Sequence, residues 1–97
     1  MSEQKEIVWR TEFHKALSNP VRLEIVDLLA KGELCQCDIF PKIGSSQSTV
    51  SSYLQQLVRA GILTVRRDGT RKLYSINDRK IQIVLTKLHQ LANDMIE

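Results

Sequence analysis

Both cysteines of the chain lie in one short stretch, ELCQCDIF, which runs from Glu33 to Phe40. A single residue separates Cys35 from Cys37. Neighbouring thiolates can hold a soft metal or metalloid, or the two thiols can oxidise to a disulfide. On a helix, residues two apart point about 200° away from each other, so a shared ligand needs non-helical backbone at this pair. The pair is therefore compatible with a sensor, a metal site, a redox switch or two small buried side chains.

The composition describes one small globular domain. The chain has 97 residues, of which 42% are apolar and 26% charged, with a net charge of +3. This length allows one core of limited size, which dimerisation would enlarge. The apolar runs are much shorter than the roughly 18 residues that a membrane helix needs, and the polar first residues do not resemble a signal peptide. We therefore expect a cytoplasmic protein without a membrane partner, in a reducing compartment.

Hydrophobic periodicity and capping residues predict a mainly helical domain. The expected helices span about 6–17, 20–30, 38–43 and 45–60, and a fifth runs from 77 or 78 to the end of the chain. Asn19 and Pro20 suit the cap and the first position of the second helix. Pro41 is tolerated only in a first turn, so the third helix should begin at Cys37 or Asp38. Such a start would place the thiols at a helix N-terminus, which favours the thiolate.

The fourth predicted helix has an apolar and a polar face. Val50, Leu54 and Leu57 are expected in the core because they fall within a narrow arc. The opposite side is formed by Ser48, Thr49, Ser52, Gln55 and Arg59. Short hydrogen-bonding side chains of this kind can reach base edges in the major groove of DNA. A polar helix exposed to solvent is the plainer alternative.

A basic hairpin is predicted directly after this helix. Two β-rich segments flank Asp68 and Gly69, a pair typical of a two-residue turn. The hairpin carries four cations that can hold DNA phosphates: Arg66, Arg67, Arg71 and Lys72. A short helix, a tight turn, a polar helix and a basic hairpin together indicate a winged helix-turn-helix of order α-α-α-α-β-β-α. We expect the whole chain, 1–97, to form this one domain and to bind double-stranded DNA.

The last predicted helix carries an apolar seam. Its members recur at heptad-like spacings and are Ile81, Val84, Leu88, Leu91 and Met95. In so small a protein such a seam favours a homodimer, with packing on the domain's own core as the alternative.

Three stretches resemble the ArsR/SmtB family of metal-sensing repressors: ALSNPVRLEIVDLLAKGELCQCDI, IGSSQSTVSSYLQQLVRAGIL and VRRDGTRKLYSI. The resemblance covers about residues 13–76 with several motifs in order. It implies a cytosolic, homodimeric transcriptional repressor whose first and last helices form the dimer. It also implies that an inducer releases the protein from its operator DNA.

The same resemblance assigns residues of the fourth helix to DNA. Groove contacts are implied for Gln47, Ser48, Ser51 and Ser52. Thr49 is expected to reach a phosphate. Tyr53 stands where many members of the family have histidine, and its hydroxyl can also donate to a phosphate.

The thiol stretch is similar to the arsenic-sensing branch of the family, which has Cys-Val-Cys-Asp here and a third cysteine three residues after the second. Cys35, Cys37 and Asp38 match that pattern, whereas Phe40 occupies the third position. A site with three local thiolates is therefore not expected. Four readings remain open: As(III) or Sb(III) on two thiolates with another donor, Zn or Cd with further ligands, a disulfide within or between subunits, and inert cysteines in a regulator without effector. Candidate further ligands are His14, Asp38 and His89, and no cofactor is required for the fold.

Two other chemistries are expected to be absent. A second branch of the family binds zinc on its last helix, and of that pattern only Asp78 matches, because Lys80 and Leu91 stand at expected histidine positions. A Cys-x-Cys thiol oxidoreductase would need a general base beside the thiols, and the sequence offers no obvious one. We therefore predict that the chain is not an enzyme.

Overall fold

Helices alternate with short strands along residues 2–96, the part of the chain that the computed structural model describes. The elements are α1 (Ser2–Ala16), α2 (Pro20–Leu29), β1 (Leu34–Cys35), α3 (Gln36–Ile39), a 3₁₀ turn (Phe40–Lys42), α4 (Gln47–Arg59), β2 (Leu63–Asp68), β3 (Arg71–Ile76) and α5 (Arg79–Ile96). This confirms the mainly helical winged helix-turn-helix fold. The order differs from the prediction by the added strand β1. Glu97, the expected end of the last helix, lies outside the described residues.

The start of α2 follows the predicted capping. Asn19 is in the extended region, and its Oδ1 accepts hydrogen bonds from the backbone N–H groups of Val21 at 2.9 Å and Arg22 at 3.1 Å. These bonds satisfy two N–H groups that have no partner within the helix. An N-cap of this kind contributes about 1 kcal/mol to helix stability.

The third predicted helix is wrong in its bounds. The helical turn α3 begins at Gln36, before the expected start, and it ends at Ile39. Pro41 then lies in the first positions of a separate 3₁₀ turn, Phe40–Lys42. Proline has no N–H for a helical hydrogen bond, so the chain starts a new turn at Phe40, with Pro41 near its start, instead of extending α3.

The helix α4 is capped at both ends. Ser46 is its N-cap and its Oγ accepts from the N–H of Thr49 at 3.2 Å. After the helix, Gly61 has a φ of +80°, a conformation that glycine adopts more easily than other residues. The chain can therefore turn sharply from α4 into β2.

The hairpin and the thiol stretch share one antiparallel sheet. Its strand order is β1-β3-β2, with Leu34 opposite Tyr74, Cys35 opposite Leu73, and Asp68 opposite Arg71. Gly69 turns the hairpin with a φ of +66°. Strand β1, which the sequence analysis did not include, thus makes the residues before Cys37 part of the wing sheet.

The core lies between α2, α4 and the sheet. Its fully buried side chains are Ile25, Val26, Leu29, Ile39, Val50, Leu54, Leu57, Ile62 and Leu63. The core positions predicted on α4 are therefore correct. The two terminal helices add Phe13 from α1 and Leu85 from α5, and much of the remaining apolar surface of both helices is exposed. Across residues 2–96, none of the helices has the length and apolar character needed to cross a membrane.

Candidate nucleic-acid interface and thiol site

The first turns of α4 present a polar, uncharged surface. Gln47, Ser48 and Ser52 are exposed, and Thr49 is half-buried with its Oγ1 accepting from the Ser46 hydroxyl at 2.9 Å. Exposed side chains at the start of a helix can enter a major groove, because few other atoms surround them. The structure thus leaves three of the predicted contact residues on α4 accessible to a base edge.

The other two predicted residues of α4 are engaged inside the protein. The hydroxyl oxygen of Ser51 accepts a hydrogen bond of 2.9 Å from the side-chain amide of Gln36. The Tyr53 hydroxyl accepts one of 3.4 Å from the Asn19 amide, and the guanidinium of Arg22 lies 4.8 Å from the centre of the tyrosine ring. Both side chains are half-buried, and each hydroxyl keeps its own proton for donation.

Arg22 has a role that the sequence analysis missed. Its Nε donates to the carbonyl of Ala16 at 2.7 Å, Nη2 to the carbonyl of Lys15 at 3.3 Å, and Nη1 to the side-chain oxygen of Gln56 at 3.1 Å. It therefore satisfies the last carbonyls of α1 and joins that helix end to α4. The available signal was the position of arginine two residues after Pro20 in SNPVR, on the first turn of α2.

The four cations of the wing are exposed, and one of them is held by an ion pair. Arg66 donates from Nε and Nη2 to the two oxygens of Glu33, at 2.9 Å and 2.8 Å. Hydrogen bonding to Arg66 lowers the pKa of Glu33, and the same contact raises the pKa of Arg66. Within residues 2–96, the salt bridges involve no other cation of the wing. Arg67, Arg71 and Lys72 therefore have their charges directed to solvent.

The two cysteines meet where a strand changes into a helix. Cys35 is extended, with φ −75° and ψ 154°, while Cys37 lies in the first turn of α3. Their Cα atoms are 5.2 Å apart, and a disulfide joins the sulfurs within the chain. The change of backbone conformation after Cys35 brings residues i and i+2 together, as the spacing argument required. Cys35 is buried and Cys37 is exposed, so reagents reach the pair from the Cys37 side.

A carboxylate completes a small cluster of donors. The sulfurs of Cys35 and Cys37 and an oxygen of Asp38 all lie within 4.8 Å of one another. The predicted helper Asp38 is thus in place. His14 packs its ring edge-on against Phe13 on α1, and His89 of α5 lies 3.7 Å from an oxygen of Asp27, so the two predicted histidine helpers are elsewhere.

The predicted seam of α5 lies mostly outside the core. Ile81 is half-buried and packs on the core, whereas Val84, Leu88, Leu91 and Met95 are exposed by 44–76%. The described part of α1 adds exposed Ile7, Val8 and Trp9. Each of the two terminal helices thus exposes several large apolar side chains, as helices that are covered in protein interfaces do.

The fold and these surfaces define a winged helix-turn-helix DNA-binding domain. The model of the family described as "Bacterial regulatory protein, arsR family" matches residues 19–65. The chain is 39% identical over 75 residues to the arsenical resistance operon repressor of Staphylococcus aureus. The aligned region is 77% of this chain and 72% of the repressor. The protein belongs to the ArsR family, as the motifs implied, and it is a transcriptional regulator rather than an enzyme.

Two further comparisons extend this result. The arsenical resistance operon repressor of Staphylococcus xylosus is 44% identical over 63 residues, which are 65% of this chain, and the chain spans 61% of that repressor's length. The homodimeric winged helix-turn-helix DNA-binding domain of a possible ArsR-family regulator from Mycobacterium bovis is 32% identical. It superposes with a TM-score of 0.93 over 98% of this chain and 88% of that domain. The likeness therefore includes the terminal helices as well as the region that the family model matches.

Proposed function

We propose that the chain is a homodimeric repressor that binds operator DNA and whose affinity for the operator is set by the Cys35–Cys37 pair. The observation that carries this proposal is the position of the pair. Cys35 ends β1, a strand of the wing sheet, and Cys37 lies in the helix that precedes α4. A chemical change at these sulfurs thus acts between a strand paired with the wing and the short helix that precedes α4.

The proposed DNA contacts come from two elements, which we call the polar–basic surface. It comprises Gln47, Ser48, Thr49, Ser51, Ser52 and Tyr53 of α4 and Arg66, Arg67, Arg71 and Lys72 of the wing. We propose that base edges are contacted by the exposed side chains of Gln47, Ser48 and Ser52 and by the hydroxyl of the half-buried Ser51. Thr49 and Tyr53 donate to phosphates. The wing supplies affinity that depends on salt. Such a regulator acts on DNA in the cytoplasm.

The proposed dimer uses α1 and α5, so that the chain is one DNA-binding domain with dimerisation helices at both ends. Support comes from the exposed apolar residues of both helices and from the homodimeric Mycobacterium bovis domain, which the whole chain resembles. A twofold dimer presents two copies of α4, and these can read two half-sites of an operator.

The proposed effector of the reduced pair is a thiophilic ion. With arsenous acid, two S–As bonds form, two As–O bonds break, and the two thiol protons leave in two molecules of water. The remaining As–OH is then the third ligand. The carboxylate of Asp38 lies close enough to the sulfurs to replace it, in the absence of a cysteine at position 40, in which case the third As–O bond breaks and its hydroxide takes a proton from solvent and leaves as water. The same donors fit Zn²⁺ or Cd²⁺ only with ligands from outside the cluster, because these ions take four. Two arsenical resistance repressors among the relatives support the metalloid.

A second candidate effector is oxidation, which the disulfide between Cys35 and Cys37 favours. A low-molecular-weight disulfide would accept two electrons and two protons from the thiols and leave as two free thiols. Both routes use the same sulfurs, so the oxidised pair cannot bind arsenic until it is reduced.

The test is operator binding, measured by fluorescence anisotropy on DNA from upstream of the protein's own gene. The reduced protein is titrated with arsenite, Cd²⁺ or oxidised glutathione, and Cys35→Ser/Cys37→Ser is the variant. We expect one or more of these reagents to raise the operator Kd of the wild type by about fivefold or more, the lower range of allosteric coupling. The variant should bind operator like the reduced wild type and should not respond. A variant that still responds would place the effector site elsewhere.

A further inference from the structure

Gln36 lies between the two cysteines, and its backbone is enclosed by any link between their sulfurs. A disulfide from residue 35 to residue 37 closes a ring that contains both φ and ψ of Gln36. An ion bound by both thiolates closes a similar ring, larger by one atom. Reduction, or loss of the ion, opens the ring and frees the two dihedrals. A change in the bonding of the two sulfurs therefore acts directly on the backbone dihedral angles of Gln36.

The side chain of Gln36 connects this backbone to both elements that carry the polar–basic surface, the helix α4 and the wing. Its Nε2 donates to the Ser51 hydroxyl on α4 at 2.9 Å. Its Oε1 accepts from the hydroxyl of Tyr74 on β3, at the long distance of 3.5 Å. Burial raises the pKa of Tyr74, so this hydroxyl keeps its proton as a donor at neutral pH. Because the amide is half-buried, loss of either contact would be less fully compensated by water.

We propose that Gln36 is the positioning residue that transmits the state of the Cys35–Cys37 pair to the recognition helix. Ring closure fixes its backbone and aims its amide at Ser51, a residue proposed to contact DNA. Ring opening frees the amide and leaves the Ser51 oxygen available to the operator. The inference rests on the proposed function, and it holds for either effector because both close a ring around the same residue.

The test compares the operator Kd of the effector-bound or oxidised protein with that of the reduced protein. Gln36→Met keeps the length of the side chain and removes both hydrogen-bonding groups. We expect this Kd ratio to fall from about fivefold or more in the wild type to about twofold or less. Arsenite binding and disulfide formation, followed by thiol titration, should persist because both sulfurs remain.

Two further variants control the result. Gln36→Glu weakens operator binding in both states by adding a negative charge, but its oxygens can accept from Ser51 and Tyr74, so the ratio should stay within about twofold of the wild-type value. Gln90→Met makes the same glutamine-to-methionine change at an exposed position of α5 and should leave the ratio unchanged.

A third variant tests the contact between Gln36 and Tyr74. Tyr74→Phe removes only the phenolic hydroxyl, and its effect on the ratio should disappear when Gln36 is already methionine, as expected for two residues acting through one contact. The inference would be overturned if Gln36→Met kept the wild-type ratio of operator Kd between the two states. It would also be overturned if Gln90→Met lost this ratio to the same extent. A wild type without any difference between the two states would instead refute the proposed function itself.

Discussion

We call residues 33–38 the thiol segment. This segment contacts other elements through an ion pair, strand pairing and a side-chain hydrogen bond, whereas the side chains of the polar–basic surface mostly face solvent. Glu33 pairs with Arg66, Leu34 and Cys35 lie opposite residues of β3, and Gln36 reaches α4. On the polar–basic surface, Gln47, Ser48, Ser52, Arg67, Arg71 and Lys72 are all exposed. The proposed function assigns a division of labour to this difference: in it the exposed surface contacts DNA, and the thiol segment sets the position of its two parts.

Two residues of the polar–basic surface, here called shared residues, are bound by side chains of the thiol segment. Arg66 is a cation of the wing that is bound by Glu33, and Ser51 is a serine of α4 that is bound by Gln36. If the division of labour is correct, substitutions in the exposed surface should change affinity equally in all thiol states. Substitutions at a shared residue or its partner should change the dependence on thiol state or the contribution of the wing.

The largest effect is expected from the free cations of the wing. Arg67→Gln/Arg71→Gln should raise the operator Kd by roughly tenfold per arginine at 0.1 M salt and reduce the salt slope by about 3.6, because two phosphate contacts are lost in each protomer of the dimer. The Kd ratio between thiol states should not change. Anisotropy titrations from 50 to about 300 mM salt measure both quantities.

The matched control is Lys80→Gln/Lys87→Gln, which removes the same charge from exposed positions of α5. An unchanged salt slope in the wing variant, or an equal change in the control, would contradict the assignment of the wing to phosphates.

A smaller effect separates two neighbouring serines. Ser52→Ala removes an exposed hydroxyl and should weaken operator binding by roughly fivefold in both thiol states, the value of about one hydrogen bond. Ser51→Ala should weaken binding by a similar factor and also bring the ratio between states towards one, because Gln36 loses its acceptor on α4. Anisotropy on the reduced and oxidised forms of both variants measures this. If the ratio of operator Kd between the two thiol states were equal in the two variants, exposed and shared residues would not differ in function as proposed.

Features encoded by local pattern could be predicted from the sequence. The Asn19 cap, the turn at Gly69 and the buried face of α4 each depend on residues close together in the chain, and each is found where it was expected. The break at Pro41 was placed in the wrong helix turn, because the sequence does not show that a 3₁₀ turn can accommodate the proline. Local rules thus gave the fold but not the bounds of its shortest helix.

Features formed by distant residues could not be predicted in the same way. Strand β1 has two residues, too few to show an alternating pattern, and it exists because β3 offers it a partner. The contacts of Gln36 with Ser51 and of Glu33 with Arg66 join positions 15 and 33 residues apart. They depend on how α3, α4 and the wing pack, so the sequence indicated the thiols as an effector site without indicating which side chains connect them to α4 and the wing.

The smallest effect is expected at the shared residue of the wing. Arg66 holds the pKa of Glu33 below its ordinary value of 4.5, so the pair is intact at neutral pH and is lost only as the pH falls through the lowered pKa. Glu33→Gln should release Arg66 at neutral pH. We expect an operator Kd a few-fold lower at low salt and a salt slope steeper by up to about 1.8, which corresponds to one added phosphate contact in each protomer of the dimer.

The comparison for this variant is Glu12→Gln, which removes the same charge from an exposed position of α1. Both substitutions change the net charge equally, so a general electrostatic effect would steepen the two salt slopes alike. A steeper salt slope of operator binding in Glu33→Gln alone would show that the ion pair with Glu33 keeps Arg66 from contacting a phosphate. Equal slopes would leave Gln36 as the proposed connection between that segment and the polar–basic surface, and Arg66 would then contribute to the fold of the wing rather than to its control.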